Sequence, residues 1–424
     1  MSQEPFISVV IPTRNRAHLV RHAIQSVLWQ GFDDYELIVS DNCSADNTAE
    51  AVREAAGERA RYVRPDRVLS MPDHWEFALD QARGRYVAYL CDDDVWVPGA
   101  LARVAEVLES ARADLAVIYS GVYNAPNWLD PERQNQLYLA PYTGGVQEYA
   151  SDETIRRIYS ECRVVYEAPR MLNSFCRREM LGRVRSEAGR VFLLCPDYSF
   201  AAMALTGTPS WLYVDSPLHL QGVFPEGIGS TQSFNRGEPS LEFAREFKVE
   251  EERLLRHVPL KSLLVSNMIT ETLLLSKGRL PALAACEVDW TNYFLSCRDD
   301  IETLGGNGVD TTADREEFER VLAGQPAELR ERVARGERGV VQPPPVGPGT
   351  QGAVRAAARR LINSSPLLAN LESRVRRRGG ETGAAAPPRP LLISGSEAGF
   401  DDILGCARLL PELARRENGT AAHG

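Results

Sequence analysis

The sequence predicts an α/β fold in which a mostly parallel sheet is flanked by helices and followed by a helical C-terminal extension. Three observations predict it. Up to Pro98, short β-rich apolar runs alternate with segments of helical periodicity, the pattern of strands laid side by side with helices between them. Each run ends in a cluster of polar residues, as in open sheets that gather their ligands at the carboxyl ends of the strands. From Leu241 the chain changes character: Leu254, Leu255, Val258, Leu263, Leu264, Ile269, Leu273 and Leu274 recur at helical spacing among charged residues, and the pattern continues to about Arg335.

The elements follow in order. Phe6 to Ile11 is an apolar strand ended by Pro12, and Thr13-Arg14-Asn15-Arg16 forms a polar loop before a helix marked by Leu19, Val20, Ala23, Ile24, Val27 and Leu28. Tyr35 to Val39 is a second strand, with Ser40-Asp41-Asn42-Cys43-Ser44 at its end and Asp46 and Thr48 introducing the helix of Glu50 to Ala56. Tyr62-Val63-Arg64 is a short third strand. Asp73, with Glu76 three residues on, signals the start of a helix through Trp75, Leu79 and Ala82. Tyr86 to Leu90 reads as a buried parallel strand, and Asp92-Asp93-Asp94 follow at its carboxyl end before Pro98-Gly99 opens another helix. Three adjacent anions repel one another, so a cation is expected beside them, and hard carboxylate oxygens suit Mg²⁺ or Mn²⁺. A run of Asp also caps turns, which is the alternative for this stretch.

Composition narrows the function classes. The 424 residues, 44% of them hydrophobic, suffice for one large or two medium domains. A formal charge of -10 argues against nucleic acid as a partner, because neutralising phosphates needs a basic face. The eight cysteines (43, 91, 162, 176, 195, 286, 297, 406) show no paired spacing and read as reduced thiols, which with no signal-like opening and no apolar run of membrane-spanning length predicts a cytoplasmic location.

Val9 to Arg16 (VVIPTRNR), Ile38 to Thr48 (IVSDNCSADNT) and Leu90 to Asp94 (LCDDD) with Pro98 together resemble the family 2 glycosyltransferases over roughly the first 230 residues. The resemblance implies a GT-A fold, a Rossmann-like sheet, and an inverting transfer from a nucleotide-sugar donor to a hydroxyl acceptor: a glycan, a lipid-linked glycan or a metabolite. It implies that Pro12, Thr13 and Asn15 line the nucleotide pocket with Asp92, that Asp41 contacts the base, and that Asp93 and Asp94 hold Mn²⁺ or Mg²⁺. UDP is the default nucleotide. The commoner family pattern has Asp where this chain has Cys91. A late His completes the metal shell in some GT-A enzymes, a role open to His219, although a lone His is more often a satisfied polar residue. Asp197 stands at the end of an expected strand, Val191 to Cys195, and opens a helix, the context of the family's catalytic base; an N-cap is its other reading. The rivals are a nucleotidyltransferase, disfavoured because the first loop is Thr-Arg-Asn-Arg rather than a Gly-rich, Lys-bearing phosphate loop, and a catalytically silent nucleotide-sugar-binding protein.

The later chain completes the expected organisation. Asp114 to Tyr123 is a strand, and Trp128 to Tyr149 a long loop whose aromatics either stack on sugars or pack the core. Trp211 to Asp215 is a strand, and Gly222 to Arg236 a flexible loop. Residues 1–235 then form the catalytic domain and 236–336 a helical extension offering surface for acceptor binding or homodimerisation. Residues 337–352 are a Pro/Gly-rich linker, 353–378 a basic amphipathic helix suited to peripheral membrane contact, and 379–424 a largely disordered tail with a short helix around Ile403 to Leu413.

Overall fold

The computed structural model describes residues 4–165, 167–237, 255–339 and 390–420, with side chains as far as Leu413. The basic segment 353–378 and nearly all of the linker 337–352 lie outside the described residues. Two compact units are present: one comprises Met1–Asp152, Glu167–Gly227 and Leu391–Gly424, the other Glu153–Tyr166 and Ile228–Pro390.

The first unit is built on a mixed sheet whose centre is β1 (Ile7–Thr13), buried along its whole length. β1 pairs in parallel with β2 (Tyr35–Asp41) and with β4 (Tyr86–Tyr89), and β2 pairs in parallel with β3 (Ala60–Val63). Strands buried on both faces read as continuous apolar runs, which is why β1, β2 and β4 were recognisable, whereas β3 is only half-buried. The register sets Pro12 beside Ser40 and Thr13 beside Asp41. Helix α1 (Ala17–Leu28) buries Leu19, Val20, Ala23, Ile24 and Val27 at the spacing that gives one apolar face. α2 (Thr48–Ala56) and α4 (Ala100–Ala111) bury the stripes Ala51, Val52 and Leu101, Val104, Leu108 in the same way. α3 (Met71–Asp80) starts earlier than the Asp73 signal suggested, because Ser70 is its N-cap and accepts from the Asp73 amide. All this is the predicted α/β class. The remaining strands make the sheet mixed rather than mostly parallel.

β6 (Leu115–Asn124) pairs antiparallel with β9 (Ser174–Arg177), which pairs antiparallel with β4. The long β10 (Ser210–Val223) runs parallel to β6 and antiparallel to β5 (Val95–Trp96), setting His219 opposite Trp96. The expected loop 128–149 instead contains two strands, β7 (Gln136–Leu139) and β8 (Val146–Ala150), antiparallel to β6 and β10. Leu137 and Leu139 are buried on one face of β7, a period-two signal only four residues long. The aromatics there pack inward: Trp128 is buried, Tyr149 stacks on Trp211 at 4.8 Å and Tyr142 lies 6.1 Å from Tyr119.

Three further expectations are corrected. Val191 to Cys195 is not a strand: the Val191 and Phe192 amides donate to Glu76 Oε1 at 2.6 and 2.8 Å and the Leu193 amide to Ser199 Oγ at 2.9 Å, so side chains take the place of a ladder. The 222–236 stretch continues β10 to Val223 and holds a helix, Ile228–Phe234, instead of being all loop. The tail 379–424 is not disordered throughout, since β11 (Leu391–Ser394) pairs antiparallel with β7 and leads to the helix Ile403–Thr420, whose Ile403, Cys406, Ala407 and Leu410 are buried.

The second unit is helical, with Val265–Lys277, Trp290–Gly306, Thr312–Ala323 and Ala327–Arg335 as its main helices. Tyr159 donates to the Leu273 carbonyl at 2.8 Å and Asn292 to that of Ser160, fastening residues 153–161 to the bundle. The expected helical run does not extend through 255–264. There the buried Glu271 carboxylate accepts from the His257 and Val258 amides, and Glu317 from those of Lys261 and Ser262. Among the described residues no helix is long and apolar enough to cross a membrane.

Candidate active site

The acid loop leaves β4 at the centre of the sheet, and its three carboxylates are held in three directions. Asp92 is buried; Thr13 Oγ1 donates to its Oδ2 at 2.7 Å and Arg16 Nη1 to its Oδ1 at 2.9 Å. The same Arg16 nitrogen donates to Asp93 Oδ2 at 3.3 Å, while Nη2 donates to the Glu226 carbonyl. Asp94 faces β10: the Gly222 amide donates to its Oδ1 at 2.8 Å and His219 Nε2 lies 3.1 Å from its Oδ2. A Cβ at Gly222 would lie 2.0 Å from the Asp93 carbonyl oxygen, so only glycine lets β10 approach this closely. Burial pushes the Asp93 carboxyl up to about 8, with Asp94 and Asp92 adding to the shift and Arg16 opposing it.

The acids were expected to need a cation, and Arg16 supplies one. Ligand atoms of Cys91, Asp93 and Asp94 lie within 4.8 Å of one another, the group among the described residues that could hold a metal ion. Two hard carboxylates fit Mn²⁺ or Mg²⁺. Burial and the neighbouring carboxylates push the Cys91 thiol well up, which keeps it a neutral and poor ligand. His219 stands outside that group. Its ring is buried, with Nδ1 2.7 Å from Ser120 Oγ and Nε2 3.1 Å from Asp94 Oδ2.

Asp41 and Asn15 form a second cluster, joined to the first through the Thr13–Asp41 register. Asn15 adopts a left-handed φ of 55°, tolerable for Asn; its amide donates to Ser44 Oγ at 2.8 Å and its side-chain oxygen accepts from the Ala45 amide at 2.7 Å. Asp41 is fully buried. Its Oδ1 accepts from the Ser44 amide and hydroxyl, its Oδ2 from the Tyr62 hydroxyl, and Arg64 Nη1 lies 3.7 Å from Oδ2. Burial and the bond to Asp41 push the Tyr62 phenol up to about 12. Pro12 lies buried at the end of β1, ahead of this junction.

Asp197 sits in the first turn of α5 (Pro196–Ala204), whose N-cap is Cys195, so the carboxylate is not the cap. Its Oδ1 is buried without a hydrogen-bond partner, and the Leu172 amide helps to stabilise the anion. Burial raises its carboxyl to about 6; the Arg170 guanidinium works against that shift and the charge of Asp94 adds to it. Cys91 also feels the charge of Asp197, so this acid lies within electrostatic range of the acid loop. The structure thus brings Thr13, Asp92, Asp93, Asp94, His219 and Asp197 into one neighbourhood and sets Asn15 and Asp41 in the adjoining one. Sequence reasoning missed Arg16, Gly222, Tyr62 and Ser120 as participants. Only Arg16 left a signal, as the cation nearest the acids in the motif-bearing loop.

Residues 8–169 match the family model for glycosyl transferase family 2. Over 105 residues the chain is 37% identical to the GalNAc(5)-diNAcBac-PP-undecaprenol beta-1,3-glucosyltransferase of Campylobacter jejuni, covering 24% of this chain and 34% of that protein. Over 95 residues it is 33% identical to the UDP-Glc:alpha-D-GlcNAc-diphosphoundecaprenol beta-1,3-glucosyltransferase WfgD of Escherichia coli, covering 22% of this chain and 38% of that protein. These matches span under two fifths of either relative's length. The crystal structure of S. aureus TarS 1-349 shows a distant likeness: TM-score 0.40 and 16% identity, covering 78% of this chain and 92% of that one. Residues 8–169, which carry the acid loop and both polar strand ends, are thus the part of the chain that is similar to the family 2 glycosyltransferases.

Proposed function

We propose that the chain is an inverting, metal-dependent glycosyltransferase that moves a sugar from a nucleotide-diphosphate donor to a hydroxyl, with Asp197 as general base. The observation that carries this reading is the buried, unpartnered Oδ1 of Asp197 beside the acid loop of a family 2 domain. The Asp197 carboxylate takes the proton of the acceptor hydroxyl as that oxygen attacks the anomeric carbon. The bond from this carbon to the diphosphate breaks on the opposite face, and configuration inverts. One carboxylate suffices, whereas a glycoside hydrolase would need two flanking the bond. Asp93 and Asp94 would hold Mn²⁺ or Mg²⁺, which when bound supplies Lewis-acid stabilisation of the departing diphosphate. Thr13 and Asn15 shape the donor loop, and His219 fixes the orientation of Asp94. Asp41 organises the turn beneath the base with Ser44, Tyr62 and Arg64.

UDP is the donor nucleotide we favour, in keeping with the UDP-Glc named for one relative, and both relatives' names specify undecaprenyl diphosphate-linked acceptors. By extension the acceptor here is a hydroxyl on a lipid-linked glycan, handled at the inner face of the membrane in building a surface polysaccharide. Calorimetric titration of UDP, GDP and dTDP, with and without Mn²⁺, into the wild type and Asp93→Ala tests the donor site. Metal-dependent binding of one nucleotide, lost in the variant, is expected; no binding by a folded wild type would overturn the reading. A silent binding protein would bind the nucleotide yet transfer no sugar.

A further inference from the structure

Arg16 is placed for more than charge balance. Its side chain is only 18% exposed, and its guanidinium joins Asp92 and Asp93 of the acid loop to the Glu226 carbonyl, 210 residues away in the chain. A guanidinium cannot leave such a site by losing its proton; it leaves only by changing partners. Arg16 also stands at the N-terminus of α1, whose first turn carries no acid, so the positive end of that helix faces the same neighbourhood. A dication drawn to Asp93 and Asp94 satisfies the charge that Arg16 now neutralises and repels the guanidinium at close range. The group best able to receive the displaced fork is a diphosphate, which accepts planar pairs of N–H bonds.

We propose that Arg16 is an exchangeable counter-ion: it pairs with Asp92 and Asp93, yields Asp93 to the divalent metal when that binds, and turns to the donor diphosphate. The exchange couples the two ligands. Metal alone binds against Arg16 and so binds weakly, whereas metal and nucleoside diphosphate together give both the acids and the arginine a partner. Release of the Glu226 carbonyl also frees the turn at residues 224–227, so donor loading loosens one end of β10. This inference rests on the donor-site reading above and goes beyond it by assigning opposite signs to one residue's effect on two ligands.

The test is calorimetry and Mn²⁺ electron paramagnetic resonance on the full chain, comparing wild type with Arg16→Ala and Arg16→Lys. Circular dichroism melts confirm that each is folded. Arg16→Ala should bind Mn²⁺ alone more tightly, by about tenfold if one charge-assisted contact is removed, and bind UDP in saturating Mn²⁺ about tenfold more weakly. The extent to which UDP tightens Mn²⁺ binding should fall accordingly. Arg16→Lys keeps the charge without the fork, so it should bind Mn²⁺ as the wild type does and UDP less well. Hydrogen exchange should report faster exchange at residues 224–227 of the wild type on adding Mn²⁺ and UDP. Parallel weakening of Mn²⁺ and UDP in Arg16→Ala, or UDP affinity unchanged in both variants, would overturn the exchange while leaving the donor site intact. A folded wild type that binds neither ligand would remove the donor-site reading and the inference with it. If Arg16→Ala does not fold, the Arg16→Lys result decides: unchanged UDP affinity there counts against the exchange.

Discussion

Two buried acids in the first unit have opposite surroundings. Asp41, at the end of β2, has both oxygens occupied by the Ser44 amide, the Ser44 hydroxyl and the Tyr62 hydroxyl. Asp197, in the first turn of α5, keeps one buried oxygen bare. A carboxylate whose lone pairs are filled holds a loop in shape. A carboxylate left short of donors is destabilised as an anion, and proton uptake relieves it. The contrast separates an acid that builds the site from one that can act in it, although both lie at polar clusters that look alike in the sequence.

The sharpest way to break this contrast is Asp197→Asn. Transfer should fall by roughly two to four orders of magnitude, as expected on losing a general base, while UDP affinity stays within about twofold. Because burial raises the Asp197 carboxyl from an ordinary 3.8 to about 6, the folded state holds this proton more tightly than the unfolded state, and that contribution to stability is lost as pH rises through about 6. At pH 7.5 the Asn variant should therefore melt at the wild-type temperature or above it. A clear drop in melting temperature would return Asp197 to a structural role.

The wild-type rate should itself fall as pH drops through about 6 on a single-proton limb, and that limb should be missing from the residual activity of Asp197→Asn. Asp41→Asn should behave in the opposite way to Asp197→Asn. Its amide brings an N–H up against the Ser44 or Tyr62 donors, costing about 1–3 kcal/mol of stability by thermal melting, with a turnover per folded, donor-saturated molecule closer to wild type. Tyr62→Phe sharpens the comparison with the smallest change. It removes one donor from Asp41 and should cost roughly 0.5–1.5 kcal/mol; a larger fall in nucleotide affinity than in stability would mean that Tyr62 meets the base directly.

What could be read from the sequence follows from how each element is held. β1, β2 and β4 are continuous apolar runs because they are covered on both faces, and the acid loop follows the last of them, so the class, these strands and the acid cluster were legible. β7, β8 and β11 are four or five residues each and partly exposed, leaving too few alternations to distinguish them from loop. Val191 to Cys195 misled because an apolar run also results when Glu76 and Ser199 take over the amides a strand would donate. Arg16 was visible as a residue but not as a partner, since its acids lie 76 and 77 positions away. Gly222 left no signal, because its need for glycine comes from a backbone oxygen on another element.

β11 has a consequence for how this chain resists pairing with its own copies. It lies at one end of the strand order, pairs with β7, and is only four residues long. Short terminal strands of this kind limit the row of free N–H and C=O groups available to recruit a foreign strand. A chain ended before Leu391 would lose that cover. β7, with Leu137 and Leu139 already turned inward, would become an open template, and such a chain is expected to self-associate through it even with every residue of the acid loop in place.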